Sequence, residues 1–216
     1  MDEPEPHDAA TAVALAWQPR TSRAPLAALF ALDRRLGSAI ARAKEPMLAQ
    51  VRLAWWRERL AEPPAMRPVG EPLLAELTAQ WGGATAGLVG LVDGWEHLVG
   101  DTSLPDDALT RFAEGRGAAL ASFASLAGYP QQDRAASAAG RCWAFAELAS
   151  LGPSDAARAQ ALALGRQEQV GPVKLQALRG VAVLGGLSRR ALSRNEPLMA
   201  GRGAALTAIR LGMFGG

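Results

Sequence analysis

At 216 residues, with 49% apolar and 20% charged side chains, the chain has the balance of a globular protein with a substantial core, which excludes wholesale disorder. A net charge of +2 offers little to a polyanion, so no nucleic-acid partner is expected. One cysteine, Cys142, and two histidines, His7 and His97, exclude a disulfide frame, a thiolate cluster and a His-rich metal site.

The apolar residues are mostly Ala and Leu, and β-branched residues never alternate, so the expected fold class is all-α. Residues 1–10 open with Met1-Asp2-Glu3-Pro4-Glu5-Pro6 and read as a disordered leader, acidic where a signal peptide would be basic. No apolar run approaches the roughly 18 residues of a membrane span. The expected location is therefore cytoplasmic. Residues 11–216 read as a helical domain.

Thr11 to Trp17 suits a short helix, and Pro19 and Pro25 bracket a loop. Pro25 then opens a helix whose Leu26, Leu29, Phe30, Leu36 and Ile40 recur at helical spacing as far as Ala43. Pro46 starts the next, with Met47, Val51 and Trp55 on one stripe and Leu53, Trp56 and Leu60 on a second. A helix so apolar is expected to be largely buried. Pro63, Pro64 and Pro68 end it. Further helices are expected from Pro72 to Trp81, through Leu88 to Leu98, from Pro105 to Gly128, from Gln132 to Gly152 and from Asp155 to Leu164. Residues 165–173 read as a loop. Helices over Leu175 to Leu192 and from Pro197 to Leu211 complete a bundle of eight or nine, without fixed-period repeats.

Leu26 to Leu36 and Glu45 to Leu60, the latter with its Arg-Leu-x-Trp-Trp-Arg core, resemble the opening two helices of squalene and phytoene synthases. Leu91-Val-Asp-Gly-Trp-Glu-His-Leu98 resembles that family's mid-chain segment. Leu109 to Gly128 and Ala139 to Leu151 resemble the helices that follow, so the likeness covers most of residues 24–214. It implies an isoprenoid-synthase-like helical bundle that joins prenyl diphosphates with Mg²⁺ held by aspartates on two facing helices. Mg²⁺ takes hard oxygen ligands and neutralises the departing diphosphate.

The acids that this chemistry needs are missing. The first Asp-rich motif would fall at Gly37 to Ala41, where the chain reads Gly-Ser-Ala-Ile-Ala; the second would fall at Glu147 to Leu151, where only Glu147 is acidic. The resemblance thus points to a family protein without prenyl transfer activity, with no catalytic residues and no bound metal. The Glu-Pro-x-x-x-Gln-x-Arg-Leu-x-Trp-Trp-Arg pattern is also similar to a branch that lost these aspartates and acts in assembling respiratory complex I. Partners implied are an isoprenoid or lipid ligand retained in a hydrophobic cavity, a respiratory-complex subunit, or a membrane surface, with a peripheral position at the inner membrane. The alternative is a divergent prenyltransferase in isoprenoid biosynthesis, with Mg²⁺ held by Asp93, Glu96 or Glu147.

Candidate ligand-binding residues are Arg34, Arg52, Trp55, Trp56 and Arg59. Arginines can clasp a diphosphate or lipid head group, and the tryptophans can line an apolar pocket. The plainer reading makes both tryptophans core aromatics and the arginines solvated. On that reading one of Arg34 and Arg35 is a structural partner of Asp33 or Glu58. Asp93 and Glu96 read as a polar helix face, Asp106-Asp107 as a helix cap and Cys142 as a small buried hydrophobe.

Overall fold

A computed structural model of the chain describes residues 8–100, 107–169, 171 and 176–214. Among them the regular elements are ten α-helices and three short 3-10 turns, and no strand occurs. The helices are α1 (Ala9–Trp17), α2 (Arg20–Ala41), α3 (Pro46–Ala61), α4 (Pro72–Trp81), α5 (Ala86–Glu96), α6 (Ala108–Leu126), α7 (Asp133–Leu151), α8 (Asp155–Gln167), α9 (Arg179–Arg194) and α10 (Gly201–Phe214). The all-α expectation holds, with one or two helices more than eight or nine.

Several boundaries move for identifiable reasons. The helix expected from Thr11 begins at Ala9, inside the supposed leader, because the Asp8 carboxylate accepts from the backbone N–H of Ala10 and Thr11, each at 2.9 Å. The rest of that leader, with His7, lies outside the described residues. So do the loop at 101–106, the capping residue Asp106, and the starts expected at Pro105 and Leu175. Asp107 precedes α6 without a side-chain capping bond; its carboxylate instead accepts from Arg111 Nε at 3.2 Å.

α2 starts at Arg20, before Pro25, where a loop was expected. A buried glutamine organises that junction. Gln18 Nε2 donates to Ser22 Oγ and to the Ala177 carbonyl, both at 2.7 Å, while its Oε1 accepts from Gly180 N–H at 2.9 Å. α8 continues through Gly165 to Gln167, where sequence suggested a loop. Glycine there serves close packing: a Cβ would stand 2.6 Å from Leu192 and 2.8 Å from Phe145. α10 starts at Gly201 rather than Pro197, after α9 has ended on Asn195 in the left-handed conformation (φ 53°).

α5, α6 and α7 lie side by side at the centre. Their backbones meet through glycines, since a Cβ on Gly115 would fall 2.6 Å from the Gly90 carbonyl oxygen and one on Gly140 would fall 2.5 Å from that of Arg116. α2, α3 and α4 pack on the α5 side, while α9 packs on α7 and carries α1 and α10. The largest apolar cluster gathers Leu26, Leu29, Phe30, Leu120, Phe123 and Trp143, all buried. Phe30 and Trp143 meet edge to face with centroids 5.4 Å apart.

α3 is less buried than its apolar content suggests. Ala49, Leu53, Trp56 and Leu60 face inward, whereas Met47, Leu48, Val51 and Trp55 are exposed, because α3 packs chiefly on α2 and α5 along one side. Beyond it, Arg67 ties three helix ends together. Its guanidinium donates to the carbonyls of Leu60, Glu62 and Gly82 and to the hydroxyls of Thr78 and Thr85, at 3.0–3.2 Å.

The glycine contacts make a contrast that unfolding can read. Gly140→Ala should destabilise the protein by about 1–3 kcal/mol, since backbone cannot rotate out of the way. Gly90→Ala meets only the Ala118 Cβ at 3.6 Å and should be neutral or stabilise by up to about 1 kcal/mol. Urea-unfolding midpoints of the two variants check both outcomes.

Candidate functional site

The five sequence candidates divide between two helices, Arg34 on α2 and Arg52, Trp55, Trp56 and Arg59 on α3. Trp56 is a core residue, 5% exposed, whereas its neighbour Trp55 is 38% exposed and stands edge-on to it with centroids 5.0 Å apart. Arg52 is exposed on the outer side of α3. Arg59 pairs with Glu58 at 3.3 Å and with Glu62 at 2.9 Å. Arg34 lies on another helix, donating to the Phe30 carbonyl of its own turn at 3.3 Å. Arg35, read in sequence as a partner for Asp33 or Glu58, approaches Glu71 instead, at 3.8 Å.

The partner of Asp33 is Arg116. It lies on the stripe of α6 defined by Phe112, Leu120 and Phe123, and its side chain is only 1% exposed. The contact is bidentate, with Nε to Asp33 Oδ1 at 3.0 Å and Nη2 to Oδ2 at 2.7 Å. Nη1 donates to Glu147 Oε2 on α7 at 2.6 Å. Trp95 Nε1 completes the Asp33 shell at 2.8 Å. Three aromatic rings surround the guanidinium, with centroids 3.8 Å (Trp143), 4.6 Å (Phe112) and 5.4 Å (Trp95) from Cζ. Four helices thus meet at one cation: α2, α5, α6 and α7.

Electrostatics there are settled internally. Burial alone would lower the Arg116 guanidinium, but the carboxylates of Asp33 and Glu147 more than offset it and hold it protonated. Burial pushes the Glu147 carboxyl above its ordinary range against the pull of Arg116, with Asp33 and Asp8 adding to the rise. Such an arrangement binds its own charges and leaves no pair of carboxylates free for a metal.

The space beside Gly37 is also filled. A Cβ at Gly37 would stand 3.0 Å from the Trp95 ring, so an aspartate there would strike the same indole that bonds Asp33. Asp93 and Glu96 both engage Arg57, which reaches across from α3, with Asp93 Oδ1 2.6 Å from Nε. Among the described residues no group of three His, Cys, Asp or Glu could hold a metal ion. Cys142 is buried, and burial with the nearby Glu168 carboxylate pushes its thiol up to about 12, which leaves it unreactive near neutrality.

A shallow groove of about 280 Å³ opens between α7, α8 and α9, lined by Ser150, Arg158, Leu162, Leu192 and Asn195 among others. Arg158 is engaged there with Asp155 and with the Gly152 carbonyl. Sequence reasoning considered Glu147 and missed Arg116. Its signal was position, since an arginine at i+4 from Phe112 and i−4 from Leu120 lies on the core stripe of the helix.

No protein-family model, curated protein or solved structure matches the chain. The charge cluster therefore has to be tested in this protein itself. Arg116→Met should cost about 3–5 kcal/mol, because it strands the Asp33 carboxylate in the core. Glu147→Gln should cost far less and should change the pH profile. The folded Glu147 takes up its proton at higher pH than an unfolded carboxyl near about 4.3, so folding gains from its protonation. This contribution falls as pH rises from that value through the raised folded one. Denaturant titrations across that window should show the decline in the wild-type chain and its absence in the Glu147→Gln variant.

Proposed function

We propose that the chain is a non-catalytic relative of squalene and phytoene synthases that acts by binding rather than by prenyl transfer. The observation that carries this reading is the Arg116 cluster. A prenyl synthase needs acids on facing helices that are free to hold Mg²⁺ against a diphosphate. In this chain Asp33 and Glu147 already share a buried guanidinium, and Trp95 occupies the space beside Gly37. A cation supplied by the protein stands among the acids, and aromatic rings fill the interior around it.

The binding partner on this reading is an isoprenoid or other lipid, a membrane surface, or a respiratory-complex subunit met during assembly. The protein would work in the cytoplasm or peripherally at the inner membrane. With the centre filled by Trp143, Phe112 and Arg116, binding belongs on the outer faces of the bundle rather than in an internal cavity. A divergent prenyltransferase would need Asp93, Glu96 and Glu147 to act together. Their engagement by two different arginines, Arg57 and Arg116, speaks against it.

Purified protein incubated with Mg²⁺ and farnesyl or geranylgeranyl diphosphate should release no pyrophosphate. Measurable turnover, abolished by Glu147→Gln, would restore the enzyme reading. For the assembly role, deleting the gene should lower NADH-driven respiration; unchanged respiration with altered isoprenoid pigments would refute it.

A further inference from the structure

α10 is attached to the bundle by small residues. Ala204, Ala208 and Leu211 are buried against Val183 and Leu187 of α9, with Trp17 of α1 packed beside them. The opposite side of the helix is apolar too. Leu206 is 67% exposed, Ile209 47% and Met213 55%, at spacings that put them on one outward stripe. Arg202 lies at i−4 from Leu206 and Arg210 at i+4, and both are exposed.

The charged residues of α10 are both arginines. α10 contains no acidic residue. Residues 176–214 carry six arginines and one acid, Glu196, a net +5 in a chain whose total is +2, so the remainder is net acidic. That one acid is spoken for by Arg190 at 2.9 Å. The exposed stripe of α3 differs in this respect: Met47, Leu48, Val51 and Trp55 are flanked by the exposed acids Glu45 and Glu58 as well as by Arg52.

We infer that α10 is a membrane-docking helix that lies on an anionic bilayer, with Leu206, Ile209 and Met213 in the acyl boundary and Arg202 and Arg210 among the head groups. An apolar stripe with an arginine at each end and no acid on the helix is the pattern of an interfacial helix. Among the described residues no helix is long and apolar enough to cross a membrane, so contact is with the surface. The inference rests on the membrane-surface part of the proposed function and gives that surface a place and a lipid charge.

Co-sedimentation of the full chain with vesicles tests it. The protein should sediment with vesicles of mixed phosphatidylcholine and phosphatidylglycerol, stay in solution with phosphatidylcholine alone, and be released by high salt. Arg202→Gln and Arg210→Gln should each weaken partitioning about fivefold. Leu206→Ser combined with Ile209→Ser should weaken it about tenfold or more, whereas Met47→Ser combined with Val51→Ser should leave it unchanged. All of these side chains are exposed, so thermal unfolding midpoints should stay at the wild-type value and separate lost docking from lost folding. No binding to the anionic vesicles, or binding indifferent to the α10 substitutions, overturns the inference. Pyrophosphate release is a separate readout, so docking can fail while the non-catalytic reading stands, and the reverse.

Discussion

A guanidinium with almost no access to water must be surrounded by acceptors, and meeting that demand organises the centre of this protein. Arg116 uses three of its nitrogens on Asp33 and Glu147, and its Cζ lies within 5.4 Å of the ring centroids of Trp95, Phe112 and Trp143. Its partners come from different helices, so α2, α6 and α7 must arrive in one register for the charge to be satisfied. A buried ion pair is poor evidence of net stability, because desolvation can consume the Coulombic gain. What it does well is penalise every arrangement that leaves the charge alone. Specificity of packing is the better account of its role here.

The same cluster bears on chemistry. Acids that serve a metal must be free to exchange partners, and acids clamped by an internal arginine are not. Asp33 faces a planar fork whose geometry matches a carboxylate, which a hydrated metal ion would have to displace. Trp95 adds to the closure, because its nitrogen is bonded to Asp33 while its ring lies against Gly37. Binding at the periphery remains open to the molecule, and its exposed apolar side chains are concentrated on two outer helices, α3 and α10.

Helical content was legible from composition, and prolines such as Pro46 and Pro72 marked helix starts correctly. Boundaries were harder where a glycine had a packing role. Gly165 looks like a breaker in sequence, yet it sits within α8 because Leu192 and Phe145 crowd it. Pro25 looks like a start, yet α2 precedes it because Gln18 and Ser22 hold the earlier turn. The apolar surface of α3 misled in another way, since periodicity counts apolar stripes but cannot say how many neighbours will come to cover them. At the charge cluster, the pattern marked Arg116 as core-facing, but its partners lie 83 and 31 residues away, and no local spacing encodes such pairings. That no acid occupies Gly37 to Ala41 was visible in sequence; that the Trp95 ring lies beside Gly37 was not.

Where helices touch through glycine, the contact is between main chains. A side chain can swing to another rotamer to admit a guest, but a carbonyl lodged against a neighbouring Cα has no such freedom. At Gly94 with Gly115, and at Gly140 with Arg116, α5, α6 and α7 are joined in this way. Such main-chain contact brings α5, α6 and α7 closer together than side-chain packing would allow, so a ligand between them would have to separate backbones rather than turn side chains aside.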